Sequence, residues 1–395
     1  MNGNILNYRH PVWGLGFRPF FLMGSLAAVL VVTFWSSVFF KGDLPTGFFD
    51  PVVWHAHDMI YGFAMAIVAG FILTAGANWT GTKGLSGNKL FILFFTWFAA
   101  RLLFALSLYT PIPGSLLFLV DVLFLPGLIW ALALPLIRSR QWRNIQFLLV
   151  FSLLIAGNIL IHLAGMGVID SNFAYKGIYL GVNLILLILV IIGGRVVPFF
   201  TANALGDPTI RKIEIIEKAT LVSVCAYIFF DFIENNEMYS GQMALVAAAF
   251  NFVRLLGWKP WKTFRYPILW ILHLGYFWIV LGFILIFLSA TMGVLPRSVS
   301  LHAFTAGAMG TFIIGMMSRV SLGHTGRPLR LAKGFVLSYL LITLSGIVRV
   351  VSGFFSEYYT QGIFLSGIFW ALSFLIFLGF YFKILMSPRA DGRPG

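Results

Sequence analysis

The chain is a succession of long apolar runs separated by short breaks rich in charge, glycine and proline. Crossing about 30 Å of hydrocarbon takes roughly 20 helical residues, and lipid offers the backbone no hydrogen-bond partners outside the helix itself. With the breaks taken as punctuation, the pattern predicts helices over 16–40, 56–77, 89–109, 113–137, 145–167 and 174–198. Six more are predicted over 214–233, 239–256, 268–290, 298–318, 334–353 and 362–386. The eighth is the least apolar, because Gln242, Asn251 and Arg254 interrupt it. The expected fold is all-α: a polytopic integral membrane protein of about twelve transmembrane helices, with residues 1–395 as a single transmembrane domain. No hydrophilic stretch is long enough for a separate soluble domain. The first apolar run is too long for a cleavable signal and lacks its small-residue cleavage site.

Charge orients this array. With the N-terminus inside, the cytoplasmic segments hold Arg9 and Arg18, Lys83 and Lys89, then Arg138, Arg140 and Arg143. They continue with Arg211, Lys212 and Lys218, with Arg254, Lys259, Lys262 and Arg265, with Arg319, Arg327, Arg330 and Lys333, and with Lys383, Arg389 and Arg393. That is 21 of the 27 Lys and Arg; the opposite side receives only Lys41, Lys176 and Arg297, while Arg101, Arg195 and Arg349 fall within spans. The alternation follows the positive-inside rule along the whole chain, so both termini are expected in the cytoplasm.

Composition agrees. The 395 residues are 59% hydrophobic and only 10% charged, against about 25% charged in a soluble domain. That is too little charge to clothe a water-facing surface. The 42 Phe, 12 Trp and 13 Tyr suit a lipid-facing exterior and interfacial belts. A net charge of +14 in a soluble protein would point to nucleic acid; here membrane topology accounts for it, and the partner expected is the lipid bilayer, with no nucleic acid. The single Cys225 excludes an intramolecular disulfide and any cysteine-ligated cluster.

Histidine is the informative residue type. On this topology His55, His57, His162 and His302 lie toward the outer face, and His10, His273 and His324 toward the cytoplasm. Desolvating an ionisable group in a membrane must be offset by a partner, ligand or cavity, and imidazole ligates haem iron, copper and zinc. The sharpest signal is Trp54-His55-Ala56-His57-Asp58, opening the second helix. Two residues apart on a helix means roughly 200° of rotation. One ring is therefore expected to serve a centre while the other faces a second centre, a neighbouring helix or water, with Asp58 placed to orient a ring. The bland alternative is a pair of interfacial histidines bonded to loops. In the tenth helix His302, Thr305, Met309 and Met316 share a stripe, and Gly307, Gly310 and Gly315 permit close approach by a neighbour or a flat cofactor. The Met stripe reads as packing rather than ligation.

The second, sixth and tenth helices lie four spans apart and all end in polar, glycine-bearing turns, which raises an internal repeat against shared topology alone. Arg18, Arg195 and Arg319 form a candidate cationic ring on the cytoplasmic side, either clamping a carboxylate or phosphate such as a haem propionate or snorkelling to the interface. Arg101 and Asp121 are expected to pair within the membrane. Phosphate-binding glycine loops, zinc-protease motifs, thiolate clusters and a nucleophile elbow are missing from the sequence.

Several segments together resemble the NnrS family of bacterial membrane proteins. They are Gly16-Phe17-Arg18-Pro19-Phe20-Phe21, His55-Ala56-His57-Asp58-Met59 with Gly62-Phe63, Gly70-Phe71-Ile72-Leu73-Thr74-Ala75, and Asn78-Trp79-Thr80-Gly81. Further along come Gly193-Gly194-Arg195, His273-Leu274-Gly275-Tyr276, His302-Ala303, and Arg319 leading into Gly323-His324-Thr325-Gly326-Arg327-Pro328. At Asp58 the family pattern more often carries Glu, one methylene longer. The resemblance implies a multi-pass inner-membrane protein containing haem and copper, which relieves nitrosative stress during denitrification or nitric oxide exposure. It implies nitric oxide as a ligand; the compact loops and missing soluble domains imply that any electron donor is a quinol or a separate protein. Under it His55, His57 and His302 are the cofactor-binding histidines, with axial ligands from the second and tenth helices, and Arg18, Arg195 and Arg319 the cofactor-binding arginines. His162 is a further outer metal ligand, and His273 with His324 an inner-side metal site. The placement is similar to that in the large subunit of haem-copper oxidases, although the adjacent His-His pair and His-Pro-Glu segment used there for copper are missing. Two other functions compete: a secondary transporter coupled through Asp121 or Asp231, and an assembly factor that delivers haem or copper without turnover.

Overall fold

A computed structural model describes residues 7–43, 47–233 and 236–393, and these are helical throughout, with no strand among them. In chain order the long helices are α1 (Phe17–Lys41), α2 (Pro51–Thr80), α3 (Gly87–Ser107), α4 (Gly114–Arg138), α5 (Trp142–Gly165) and α6 (Asn172–Leu205). They continue as α7 (Glu214–Phe232), α8 (Glu237–Gly257), α9 (Pro267–Met292), α10 (Arg297–His324), α11 (Val336–Ser352) and α12 (Tyr359–Met386). Among the described residues nine helices are long and apolar enough to cross a membrane. The three outside that set are α7, which carries Glu214, Glu217, Lys218 and Asp231; α8, diluted by Gln242, Asn251 and Arg254; and α11, which has only 17 residues.

Three helices run further than their hydropathy indicates. α2 starts at Pro51, not near residue 56, because the Asp50 side chain caps the Val52 amide and Pro51 occupies the first turn. His55 and His57 consequently lie inside the helix, not at its opening. α6 continues through Pro198 to Leu205, and α10 continues to His324. α2 and α6 each stop at a left-handed glycine, Gly81 and Gly206. α4 breaks at Leu123, directly after Asp121 and Val122, where Pro126 has no N–H to bond the Val122 carbonyl.

The same three helices are the centre of the bundle. In the most apolar stretch of α2, α6 and α10, 83% of residues are buried, against 44% in α1, α5 and α12. α9 packs beside them, and the other helices form the shell. α5 lies hard against α6 at Gly157 and Gly177, where a Cβ on Gly177 would strike the Gly157 carbonyl. α11 and α12 are zipped by reciprocal serine bonds. Ser345 Oγ donates to the Ser366 carbonyl and Ser366 Oγ to that of Ser345, both at 2.9 Å, and Ser338 and Ser373 repeat the pattern at 3.0 and 2.8 Å.

Both histidine-bearing central helices carry a π-helical turn just below their histidines: Asp58–Ala64 in α2 and Ala303–Met309 in α10. Such wide turns are uncommon and recur at functional sites, because the extra residue changes the phase of everything on either side.

Candidate functional site

His55 and His57 leave α2 in different directions and enter two separate environments. His57 is completely buried. Its Nε2 lies 3.1 Å from Asp121 Oδ2 of α4 and 3.0 Å from Asn158 Oδ1 of α5. His162, one turn beyond Asn158 on α5 and equally buried, places its own Nε2 3.1 Å from the same Asp121 oxygen. Asn158 Nδ2 donates to that oxygen at 2.7 Å, which turns the amide carbonyl toward His57. Asp121 Oδ1 accepts from Arg101 of α3, and Arg101 also pairs with Asp58. The guanidinium passes beside Gly62, where a Cβ would sit 3.0 Å from Arg101 Cδ.

Two chemical consequences follow. Both imidazole Nε2 atoms face only oxygens, so each carries a hydrogen or a metal. Two carboxylates meet one guanidinium, so with both ionised the cluster keeps one negative charge, which a proton or a metal cation at the histidines would balance. One atom each from His57, Asp121 and His162 lie within 4.8 Å of one another, a geometry able to hold a metal ion. Two imidazoles and a carboxylate suit copper, zinc or iron rather than magnesium or calcium. The opposite ring atoms, Nδ1 of His57 and of His162, are buried without a partner among the described residues. They lie among aromatic rings: Phe49, Phe104 and Tyr61 around His57, and Phe49, Phe104 and Phe118 around His162.

His55 faces the other way, into a cavity of about 250 Å³ with walls from α1, α2, α6, α10, α11 and α12. Its ring stacks nearly parallel on Trp35, with centroids 4.5 Å apart. Nδ1 is buried without a partner, and neither ring nitrogen makes a hydrogen bond among the described residues. His302 of α10 lines the same cavity. Its Nδ1 lies 2.6 Å from the Ser298 carbonyl, so that nitrogen carries the hydrogen and Nε2 keeps a free lone pair. A histidine whose second nitrogen donates to a carbonyl is oriented as metal-bound histidines are. Between the two rings the walls are small or apolar (Val32, Ala56, Met59, Ala306), and Arg349 of α11 reaches the cavity.

The remaining residues singled out from sequence lie apart from both sites. Arg18 Nη1 donates to the Leu385 and Ser387 carbonyls at 2.9 and 2.6 Å. Arg195 donates to Asn144 Oδ1 at 2.6 Å, and Arg319 lies over the Phe200 ring at 3.8 Å. Separate partners hold these three arginines, and no hydrogen bond or ion pair among the described residues gathers them into a ring. The arginine at the cavity is Arg349. His273 bonds Thr201 Oγ1 at 3.0 Å, whereas His324 packs against Phe17, so the two share no partner. Asp231 is held by Arg297 at 2.6 Å and Asn183 at 2.8 Å. His10 accepts the Val12 amide and caps the first turn. Sequence reasoning missed Asn158, Arg349 and Trp35 as site residues. Only Arg349 gave a signal, as a charge inside a predicted span.

The profile of one protein family, described as NnrS protein, matches residues 11–389. No curated protein matches the chain.

Proposed function

The chain belongs to the NnrS family, and from that premise we propose that it is a haem- and copper-binding membrane protein of the nitric oxide response. The observation that carries the proposal is the meeting of His55 and His302, from two central helices, at one cavity, where neither nitrogen of His55 nor Nε2 of His302 has a hydrogen-bond partner among the described residues. A largely apolar cavity lined by two imidazoles, with one guanidinium at its wall, has the donor set that a haem requires. Haem bound there would supply an iron able to change oxidation state and, once one imidazole gives way, to take nitric oxide. His55 and His302 hold it, Ser298 fixes the tautomer of His302, and Trp35 fixes the plane of His55. Copper belongs on the other face of α2, where His57, Asp121 and His162 offer two imidazoles and a carboxylate around an unbalanced charge.

In this reading all twelve helices cross the bacterial inner membrane as a single transmembrane domain. Both termini are cytoplasmic, since the basic loops alternate on that count. Electrons arrive from a quinol or a separate protein. The transporter reading loses support because Asp121 and Asp231 are each committed to an arginine.

Absorption spectra and metal analysis of purified variants test the assignment. His55→Ala and His302→Ala should each lose the Soret band and its response to nitric oxide while keeping copper. His57→Ala and His162→Ala should lose copper and keep the Soret band. Wild-type protein without haem, or four variants with wild-type haem and copper, would sink the proposal. Exchangeable, substoichiometric metal with no nitric oxide turnover would favour the assembly-factor role.

A further inference from the structure

Arg349 is 8% exposed and has no acidic partner among the described residues. Its one hydrogen bond goes from Nη2 to the neutral Tyr359 hydroxyl at 3.3 Å, and the guanidinium lies 5.3 Å from that ring's centroid. Nη1 is buried with no partner among the described residues. Among the described residues no Asp or Glu lines the cavity it reaches, and its two histidines, His55 and His302, bring no negative charge. Arg101 and Arg254, by contrast, meet carboxylates, of Asp58 and Asp121 and of Glu217, and Arg195 donates to Asn144. A buried guanidinium with an unmade hydrogen bond and no counter-charge is costly in a membrane, and it is tolerated where something supplies the missing anion.

We infer that the group filling the cavity carries a carboxylate that pairs with Arg349, so that this arginine selects the ligand by its anionic edge while His55 and His302 engage its centre. The inference rests on the haem reading above for the identity of the ligand, and a haem propionate is the carboxylate it names. It also moves the anion-binding role from Arg18, Arg195 and Arg319, none of which lines this cavity, to Arg349, which does. The competing structural role for Arg349 is to tie α11 to Tyr359 of α12. The two roles make opposite predictions for the empty protein. A tie is lost on substitution, whereas removing an uncompensated charge relieves the empty state.

The experiment titrates detergent-purified, haem-free full-length protein with haem and, in parallel, with haem dimethyl ester, whose propionates carry no charge. A His55→Ala/His302→Ala variant measures partition into micelles. Wild-type protein should bind the free acid about 10- to 100-fold more tightly than the ester, the range expected for one charge-assisted bond. Arg349→Met should bind both alike, and its haem-free form should melt at or above the wild-type Tm. Equal binding of acid and ester by wild type, discrimination retained in Arg349→Met, or a lowered Tm of haem-free Arg349→Met would each overturn the inference. If wild type binds neither porphyrin, the haem reading falls. The melting comparison then decides separately: a raised Tm keeps the demand for an anion, and a lowered one removes it.

Discussion

At the scale of single residues, what distinguishes this protein is how its buried charges are met. Arg101 is the hub, because it pairs with both Asp58 and Asp121 while His57, His162 and Asn158 complete the Asp121 shell. Removing one member of a buried ionic set strands the others, at a cost of about 3–5 kcal/mol. Arg101→Met should therefore lower the Tm markedly, and adding Asp58→Asn should recover part of the loss because one stranded carboxylate is gone. A double variant no more stable than Arg101→Met alone would show that Asp58 does not share the charge. The Arg101–Asp121 pairing was legible in the sequence, since an Arg and an Asp in adjacent spans have few other partners. The extension to Asp58, Asn158 and His162 was not, because nothing local to those residues specifies which face of α2 they meet.

At the scale of elements, the histidines owe their separation to helix geometry and their partners to the packing of neighbouring helices. Residues 55 and 57 diverge on any helix, as their spacing predicts. The wide turns at Asp58–Ala64 and Ala303–Met309 then set the phase between the histidine ends and the lower halves of α2 and α10. Deleting Ala306 should regularise α10 and rotate His302 by roughly 100° relative to the rest of the helix. The outcome expected is a folded protein with a normal elution profile and a Soret-to-280 nm ratio near zero. The copper-side counterpart is Gly177. A side chain there collides with the Gly157 carbonyl and pushes α5, which carries Asn158 and His162, away from the bundle centre. Gly177→Val should cost about 1–3 kcal/mol by overpacking and lower copper content more than haem content; equal losses of both would point to general unfolding.

At the scale of the whole molecule, the last helix is tied back to the first and the tenth. Arg18 of α1 donates to the Leu385 and Ser387 carbonyls, the Ala390 amide donates to the Thr325 carbonyl at 2.9 Å, and Arg389 donates to the His324 carbonyl at 3.0 Å. Asp391 holds Arg389 in place, and the Arg389 guanidinium in turn lowers the Asp391 carboxyl to about 2. A carboxyl depressed below its ordinary value of about 3.9 stabilises the docked state fully above that value and loses the contribution as pH falls toward 2. Docking of the C-terminal segment should thus be insensitive to pH between 5 and 8 on this account and loosen on acidification below about pH 4. Asp391→Asn should mimic the acid state at neutral pH, read as faster tryptic cleavage at Arg389; unchanged cleavage would mean that the backbone bonds alone secure the segment.

What the sequence by itself determined is the set of helices and their approximate ends. In hydrocarbon each backbone amide must be satisfied within its own segment, so length and apolarity are local properties that report a local outcome. Hence the predicted and observed helices coincide closely, and the departures fall where other local or tertiary signals intervene: the Asp50–Pro51 cap that starts α2 early, and the central positions of α6 and α10 that let them run on. The grouping of α2, α6 and α10 was also visible, as a shared pattern of ends. Only the tertiary structure decided that these three form the centre, that His57 joins His162 through Asp121, and that Arg349, not Arg18, Arg195 or Arg319, reaches the histidine-lined cavity. Those outcomes depend on which face of each helix its neighbours cover. In a membrane, where lipid and protein interior are equally apolar, hydropathy carries almost no record of that choice.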